Sequence, residues 1–346
     1  MSGGTARGAR GRGRVLPPGA VWLVLGAVAA GLGPPLAAPA AGETVTVVPE
    51  RDRVRVLIDG QPFTDYVFDC FGRPVLYPVV GPGGIHMTRH YPMREDVPGE
   101  PHDHPHHTSI WYSHSPVNGI NFFATGAECG KIVHEKVLEA EGGGPRALLK
   151  TAARWVTADK AKVVLTDTRT LGFEVIRGVR TIDYDITLHA SHGPVVLGDS
   201  DHGGLALRMH PNLSLAVKPG EKPKGRALNS EGATADASDG TLGGRVWGKR
   251  ARWIDYYGEV GGRTVGLALF DHPSNPRHPT HWMARGYGYV AACPFGLNSF
   301  EGQPLGRGDM TIPAGGDLTF RYRLVFHEGD PQHVGIEARW KEYAGQ

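Results

Sequence analysis

The residues best suited to chemistry lie in HDHPHHTSIWYSHSPVNGINFF, positions 102–123, where His102, His104, His106, His107 and His114 crowd one short stretch. A buried imidazole needs a hydrogen-bond partner, and an exposed one adds little stability. Clustered histidines therefore point to proton transfer, metal binding or recognition of a polar ligand. Imidazole suits zinc, copper, iron or nickel, and an HxH pair on a strand is a common two-ligand device. A cupin-type site would also want a glutamate three or four residues beyond the pair. Thr108, Ser109, Ile110 and Trp111 stand there instead, so the sequence admits a divalent metal without requiring one. The same run also reads as a polar loop whose histidines cap turns. Pro105 keeps Asp103 and His104 out of helix geometry. In an extended chain His102, His104 and His106 would face one side, with Asp103 and His107 on the other.

A second dense stretch is FDHPSNPRHPTHWMARGYGYVAACPFG, positions 270–296. Asp271, His272, Asn275, Arg277, His278 and His281 sit there among Pro273, Pro276, Pro279 and Pro294. Ordering such a loop is costly, and its polar groups suit a ligand with many hydroxyls. Trp282 and Tyr287 can stack on a sugar ring, and Arg285 can bind a carboxylate or an anionic intermediate. It also reads as a Pro-rich surface corner. LGDSDHGGLALRMH, positions 197–210, ends a strand at Asp199, Asp201 and His202, which suits a general acid–base pair and equally suits a turn. Asp255 lies between apolar residues in RWIDYYG. Buried acids are paired, so Arg285 or a histidine is its expected partner. There is no GxSxG elbow, phosphate loop, dinucleotide-binding glycine pattern or HExxH, which argues against those hydrolases, nucleotide enzymes and metalloproteases.

The elements that must carry these residues are strands. SIWYSH alternates, and Pro116–Gly119 should turn it back into INFF, a hairpin floored by Trp111, Phe122 and Phe123. TVTVV, VRVLI, FTDYVF, KIVHEKVLEA, RALLKTAARWV, KVVLTDTR, LALRM, ARWIDYYG, TVGLALF and LTFRYRLVFH also read as strands. In RTIDYDITLHA the alternation sends Ile182, Tyr184, Ile186 and Leu188 inward. Residues 81–107 form a long Gly/Pro/His-rich loop of the functional kind. Residues 218–240 read as an exposed excursion. Only the end looks helical, with Asp330 as N-cap, Pro331 at the first position, and Ile336, Trp340 and Tyr343 at helix spacing. About fifteen strands and one C-terminal helix predict an all-β fold, a single large antiparallel β-sandwich.

Residues 1–40 carry Arg7, Arg10, Arg12 and Arg14, then an apolar run and Ala38-Pro39-Ala40, the pattern of a cleaved export signal. The expected mature domain is 41–346, secreted or periplasmic, with no stable membrane insertion after cleavage. Losing four arginines and no acid takes the formal charge from +2 to −2. A near-neutral body leaves no footprint for nucleic acid. The three cysteines, Cys70, Cys129 and Cys293, permit at most one disulfide. Cys293, inside an apolar run, is expected to be a free buried thiol.

DHPHHTSIWYSHSPVNGINFF, GKIVH, DYYG, HPSNPRHPTHWMARGYG and CPFG together resemble the bacterial family labelled methane oxygenase PmoA, from about Arg73 to His327. The membrane methane monooxygenase subunit is a multi-helix copper protein, and this chain has no membrane helix after its signal, so methane oxidation does not follow from the label. The resemblance implies an exported β-sandwich like the galactose-mutarotase supersandwich, and hence a carbohydrate ligand, small or oligomeric. The chain departs from the family pattern where Thr108 replaces Arg, where Asp201 and His202 replace Lys and Glu, where Met283 replaces His, and where Cys293 replaces Asn.

The resulting expectation is an exported carbohydrate-active enzyme performing hydrolysis, elimination or epimerisation on a glycoside or oxidised sugar. His104, His106 and His107 would supply the acid–base group, Asp199 would orient it, and Arg285 would stabilise negative charge. Trp111 and Trp282 would form the floor. His114, Asn118, His134, Asp255, His272, Asn275 and Arg277 would complete the ligand contacts, and the stretches 102–114 and 270–285 would meet on one rim. Two alternatives stay open: a non-catalytic sugar-binding module, and a His-ligated metal-dependent oxidoreductase.

Overall fold

A computed structural model describes Met1 and residues 43–215, 225–236, 238–239 and 243–346. The export-signal expectation lies outside the described residues. The strands in chain order are β1 (Val45–Pro49), β2 (Arg53–Ile58), β3 (Gln61–Val67), β4 (Val75–Val79), β5 (Ile110–His114), β6 (Lys131–Glu141), β7 (Arg146–Val156), β8 (Val163–Ile176), β9 (Val179–His189) and β10 (Val195–Leu197). They continue with β11 (Gly203–Arg208), β12 (Gly225–Asn229), β13 (Thr234–Ala235), β14 (Trp253–Val260), β15 (Arg263–Asp271), β16 (His281–Arg285), β17 (Tyr289–Cys293), β18 (Met310–Ile312) and β19 (Asp317–Glu328). Sheet A has the order β1-β2-β3-β4-β5-β11-β17-β16, sheet B the order β13-β12-β14-β15-β19-β9-β8-β7-β6, and β10 pairs with β18. Every ladder is antiparallel, as the alternating patterns predict.

The inner faces of the two sheets make the core. Ile182, Tyr184, Ile186 and Leu188 are buried, as their alternation requires. Phe63 of sheet A meets Phe173 and Phe326 of sheet B edge-on, at 6.3 and 5.7 Å. Tyr112 of β5 meets Trp155 and Phe320 of sheet B at 6.4 and 6.1 Å. Tyr112 therefore points inward, and its neighbours Trp111 and Ser113 point to the outer face of sheet A. This parity places the functional residues.

The C-terminal helix begins as predicted, with the Asp330 carboxylate accepting from the backbone N–H of Gln332 and His333 at 3.0 and 2.8 Å. Gly335, at φ +71°, breaks it into Pro331–Val334 and Ile336–Tyr343. Ile336 and Trp340 pack on Trp253, Phe270 and Val325, covering the outer face of sheet B.

Several expectations need correction. INFF is not a strand: Val117 and Ile120 close a tight turn through Asn118 and Gly119, both at positive φ, and the ladder stops there. Strand β5 pairs with β4 and β11 instead. The excursion at 218–240 contains β12 and β13 in its described part. Leu297–Glu301 forms a short helix too brief to show a period in sequence. All three cysteines are free and buried, so no disulfide forms; Cys293 is a fully buried thiol, as expected. Among the described residues no helix is long and apolar enough to cross a membrane.

Gly204 shows how tightly β11 and β17 meet. At φ +92°, an added Cβ would stand 1.8 Å from the Ala292 carbonyl oxygen. Gly204→Ala should cost about 3 kcal/mol, from backbone strain and steric overlap together. Urea unfolding showing under about 1 kcal/mol of loss would contradict this packing.

Candidate functional site

The loop before β5 has almost no regular structure, so its backbone polar groups need other partners. Arg89 supplies them. Its fully buried side chain donates to the carbonyls of Tyr91, Pro101 and His104, each at 3.1 Å, and also to the Asp103 carboxylate. Glu100 accepts the N–H groups of His90 and Tyr91 at 2.8 and 2.9 Å. His104 takes a positive φ of 46°, costly for a residue with a Cβ, and folds the chain back so that His107 N–H donates to its carbonyl at 3.0 Å.

The run is therefore not extended, and the expected split of its histidines fails. His104, His106 and His107 gather together, while His102 leaves to stack on Tyr91 at 4.4 Å. The His104 ring lies parallel to those of His107 and Tyr287, both at 4.8 Å, and His107 lies on Tyr289 at 4.4 Å. Phe123 and Trp111 pack beneath. Trp111 is completely buried, so it supports the floor rather than forming its surface.

Strand register sets the rest. Arg208, Tyr289 and Arg285 are directly opposed across β11, β17 and β16, so their side chains leave the same, outer face. Arg208 donates twice to Asp103, at 2.9 and 3.1 Å, and lies 4.6 Å from the Tyr287 ring. It also reaches His107 Nδ1 at 3.4 Å. A guanidinium has no acceptor, so Nδ1 accepts and the His107 proton sits on Nε2. Arg73, also buried, donates to the carbonyls of Phe123 and His106 and to Thr108, and stacks 5.0 Å from Trp111.

Burial and the neighbouring guanidinium groups keep two of the three imidazoles, His106 and His107, neutral. Burial, then Arg73, His104, His202 and Arg89, push His106 down to about 4. Burial, His106 and Arg208 push His107 far below the usual histidine range. Burial works to raise Asp103, but Arg208, His104 and Arg89 outweigh it and hold it ionised. Two rings are backed by carboxylates: His104 Nδ1 donates to Asp103 at 2.9 Å and His202 Nδ1 to Asp201 at 2.8 Å. That leaves Nε2 of each free, with side-chain exposures of 40% and 55%. His106 lies between these systems, half-buried, and its ring nitrogens make no hydrogen bond to a described residue.

These residues do not fit a metal. Among the described residues no group of three or more His, Cys, Asp or Glu is placed to hold one. The donor set explains why: His107 Nδ1 faces a guanidinium, and the surrounding arginines repel a second cation.

Other expected site residues lie elsewhere. The Asp199 carboxylate accepts the backbone N–H of Asn298, Gly306 and Gly308 at 3.1, 3.2 and 2.9 Å, so it anchors the 297–309 loop and pairs with no histidine. Trp282 points inward, fully buried, with its N–H on the Ala251 carbonyl at 2.9 Å. Asp255 does pair with a histidine, His327 at 3.0 Å, but on the outer face of sheet B. His114 Nε2 bonds the Gly198 carbonyl at 2.8 Å in the core, and Asn118 bonds Pro194 and Val196. His134 stacks on Phe68 at 3.9 Å, beside a separate cavity of about 400 Å³ lined by Lys131 and Lys160.

The two His-rich stretches do not form one rim. Asn275 and His278 bind the buried Asp271 carboxylate at 2.7 and 2.6 Å, His278 stacks on Trp340, and His272 meets Tyr343. Arg277 donates to the carbonyls of Pro294, Gly308 and Asp309. Residues 271–280 are thus tied to sheet B, the C-terminal helix and the 297–309 loop; Arg285 lies at the edge of the histidine cluster, its charge acting on Tyr287 and Asp201, and Tyr287 after it stacks on His104. Sequence reasoning missed Arg73, Arg89 and Arg208. The one available signal was an arginine ending the apolar strand GGLALR, whose residues are all buried.

Two outcomes follow from these contacts. Asp103→Asn removes the carboxylate that bridges Arg89 and Arg208 and should cost about 2–4 kcal/mol, whereas a loss within ~0.5 kcal/mol would mean the arginines need no counter-charge. The neutral imidazoles also set a pH dependence. His106, His114 and His281 are each lowered to about 4, with burial the main cause, while the unfolded chain protonates near 6.5. The unfolded state then binds more protons in that window, so stability should fall as pH drops from 6.5 towards 4. Asp185, raised by burial to about 6, opposes this as a single group. A melting temperature that stays flat or rises across the window would contradict the assignment.

No curated protein matches the sequence. The solved structures that match include two of partial likeness. One is a galactose mutarotase-like protein from Clostridium acetobutylicum, 11% identical, covering 83% of this chain and 99% of that one, with a TM-score of 0.40. The other is a galactose mutarotase related enzyme from Lactobacillus acidophilus, 9% identical, covering 82% and 97%, with a TM-score of 0.28. The model of a family of unknown function, DUF6807, matches residues 53–341, which span the histidine cluster, the arginines around it and every described strand but β1; the chain belongs to that family.

Proposed function

We propose that this protein is an exported carbohydrate-active enzyme that moves a proton to and from a sugar carbon, as in epimerisation or elimination. The observation that carries the reading is His106: a half-buried imidazole, neutral at physiological pH, with no hydrogen-bond partner for its ring nitrogens among the described residues, in a strongly positive setting. A neutral base can accept a proton from carbon, and the field of Arg73, Arg89 and Arg208 favours the negative charge that develops there. His104 and His202, each oriented by its own carboxylate, stand ready to return the proton or to protonate a leaving oxygen.

Hydrolysis by paired carboxyl groups is less well supported. That chemistry wants one carboxylic acid kept protonated, but Asp103 and Asp201 are both held below the usual range: burial raises each, Arg208 outweighs it at Asp103, and His202 does so at Asp201. The sugar assignment rests on the mixture of aromatic faces with imidazole and guanidinium donors in one site, and on the family resemblance. Export, and a single domain at 41–346, rest on the Arg-headed apolar N-terminal stretch that precedes the strands.

The test is solvent exchange. Candidate sugars are incubated with enzyme in heavy water, and loss of individual C–H signals is followed by NMR. His106→Ala should slow exchange by roughly 10²–10⁴-fold while leaving the fold intact. The wild-type rate should fall as pH drops through about 4, where His106 gains its proton. Arg73→Met removes a neighbouring positive charge, so the acid limb should move to higher pH. Full exchange in His106→Ala would remove this residue from the chemistry.

A further inference from the structure

The arginines of the site are not equivalent. Arg73 spends its N–H groups on the Phe123 and His106 carbonyls and Thr108, Arg89 on loop carbonyls and Asp103, and Arg208 is committed to Asp103. Arg285 is different. It is half-buried, its guanidinium lies 5.5 Å from the Trp247 ring, and it makes no hydrogen bond or ion pair among the described residues. Its place is set by register: it stands opposite Tyr289, whose ring stacks on His107. Its charge reaches Tyr287, the ring against His104, and also Asp201, the partner of His202. A partly desolvated guanidinium with unused donors, on the rim of the imidazole cluster, lacks only an anion.

We propose that the ligand carries a carboxylate on its sugar ring, and that Arg285 binds it. This deepens the proton-transfer reading and rests on it, and it names the substrate class as acidic sugars of the uronate type. The chemistry agrees. A C–H beside a carboxylate is acidified when that carboxylate is paired with a cation. Its proton passes to His106, and the electron pair of the broken C–H bond moves into the carboxylate. That pair then either takes a proton back on the carbon, giving the epimer, or forms a carbon–carbon double bond as the neighbouring C–O bond breaks and the leaving oxygen is protonated. No oxidant or further reactant is needed. A single planar guanidinium fork suits a carboxylate, whereas a phosphate dianion draws several donors.

The experiment compares binding of methyl glucuronide, methyl glucoside and glucose 6-phosphate to wild type and to Arg285→Gln, by calorimetry at low and high salt. Wild type should bind the glucuronide at least about tenfold more tightly than the glucoside, and the preference should weaken with salt. Arg285→Gln should lose that preference, and Arg285→Lys should keep part of it, which guards against a variant that simply fails to fold. Equal binding of glucuronide and glucoside, no binding of any probe, or a preference retained in Arg285→Gln would each overturn the proposal. Tighter binding of glucose 6-phosphate than of the glucuronide would overturn the carboxylate in favour of a phosphate. A glucuronide that binds selectively but never exchanges a proton would leave this assignment standing and defeat the catalytic reading instead.

Discussion

The site depends on the burial of three guanidinium groups, two of them bonded to one carboxylate. Arg73, Arg89 and Arg208 are almost wholly inside the protein, and among the described residues Asp103 is the only carboxylate bonded to any of them. Bare buried charges of this kind would unfold a domain. They are tolerated because Arg89 and Arg73 satisfy carbonyls that an irregular loop leaves unpaired, so one interaction solves two problems. The loop gains order without secondary structure, and the positive charge gains partners without being neutralised. His106 and His107, buried in that field, stay unprotonated, and the basic character of the site follows from its architecture.

The sandwich contributes rigidity and sidedness. Tyr112 and Trp282 fill the space between the sheets, and the residues alternating with them, Trp111, Met283 and Arg285, emerge on the outer face of sheet A. The equivalent outer face of sheet B is closed by the C-terminal helix through Ile336 and Trp340. One sheet is sealed by apolar packing and the other carries a polar cluster, so the two outer faces divide stability from chemistry. Asp255 and His327 illustrate the division. They form a carboxylate–imidazole hydrogen bond of the type seen at catalytic sites, yet they are fully buried in sheet B, next to the helix rather than next to the cluster.

Much of this was legible in the sequence. Period-two alternation identified nearly every long strand, because a strand between core and solvent must alternate. Asp330-Pro331 announced the terminal helix, and the crowding of histidines at 102–107 located the cluster. Burial of Cys293 followed from its apolar neighbours. What failed was pairing. Asp199 looked like the histidine partner because it lies in a short acidic, Gly-flanked stretch, but its oxygens are used by backbone groups about a hundred residues away. The loop at 271–280 looked like part of the same rim because it is rich in the same residue types, but Asp271 gathers it onto sheet B.

The sequence by itself determined the fold class, the strands, and which segments hold ligand-type side chains, because periodicity and local composition are properties of neighbouring residues. Only the tertiary structure decided which of those side chains meet. Arg208 reaches Asp103 and His107 from more than a hundred positions along the chain. Which face of a strand a residue occupies relative to a distant loop depends on sheet register and loop closure, and neither leaves a periodic trace. The difference between Arg208, tied to a carboxylate, and Arg285, whose donors have no partner among the described residues, is invisible in composition. It arises because β11, β17 and β16 align both on one face while the loop carrying Asp103 closes over only one of them.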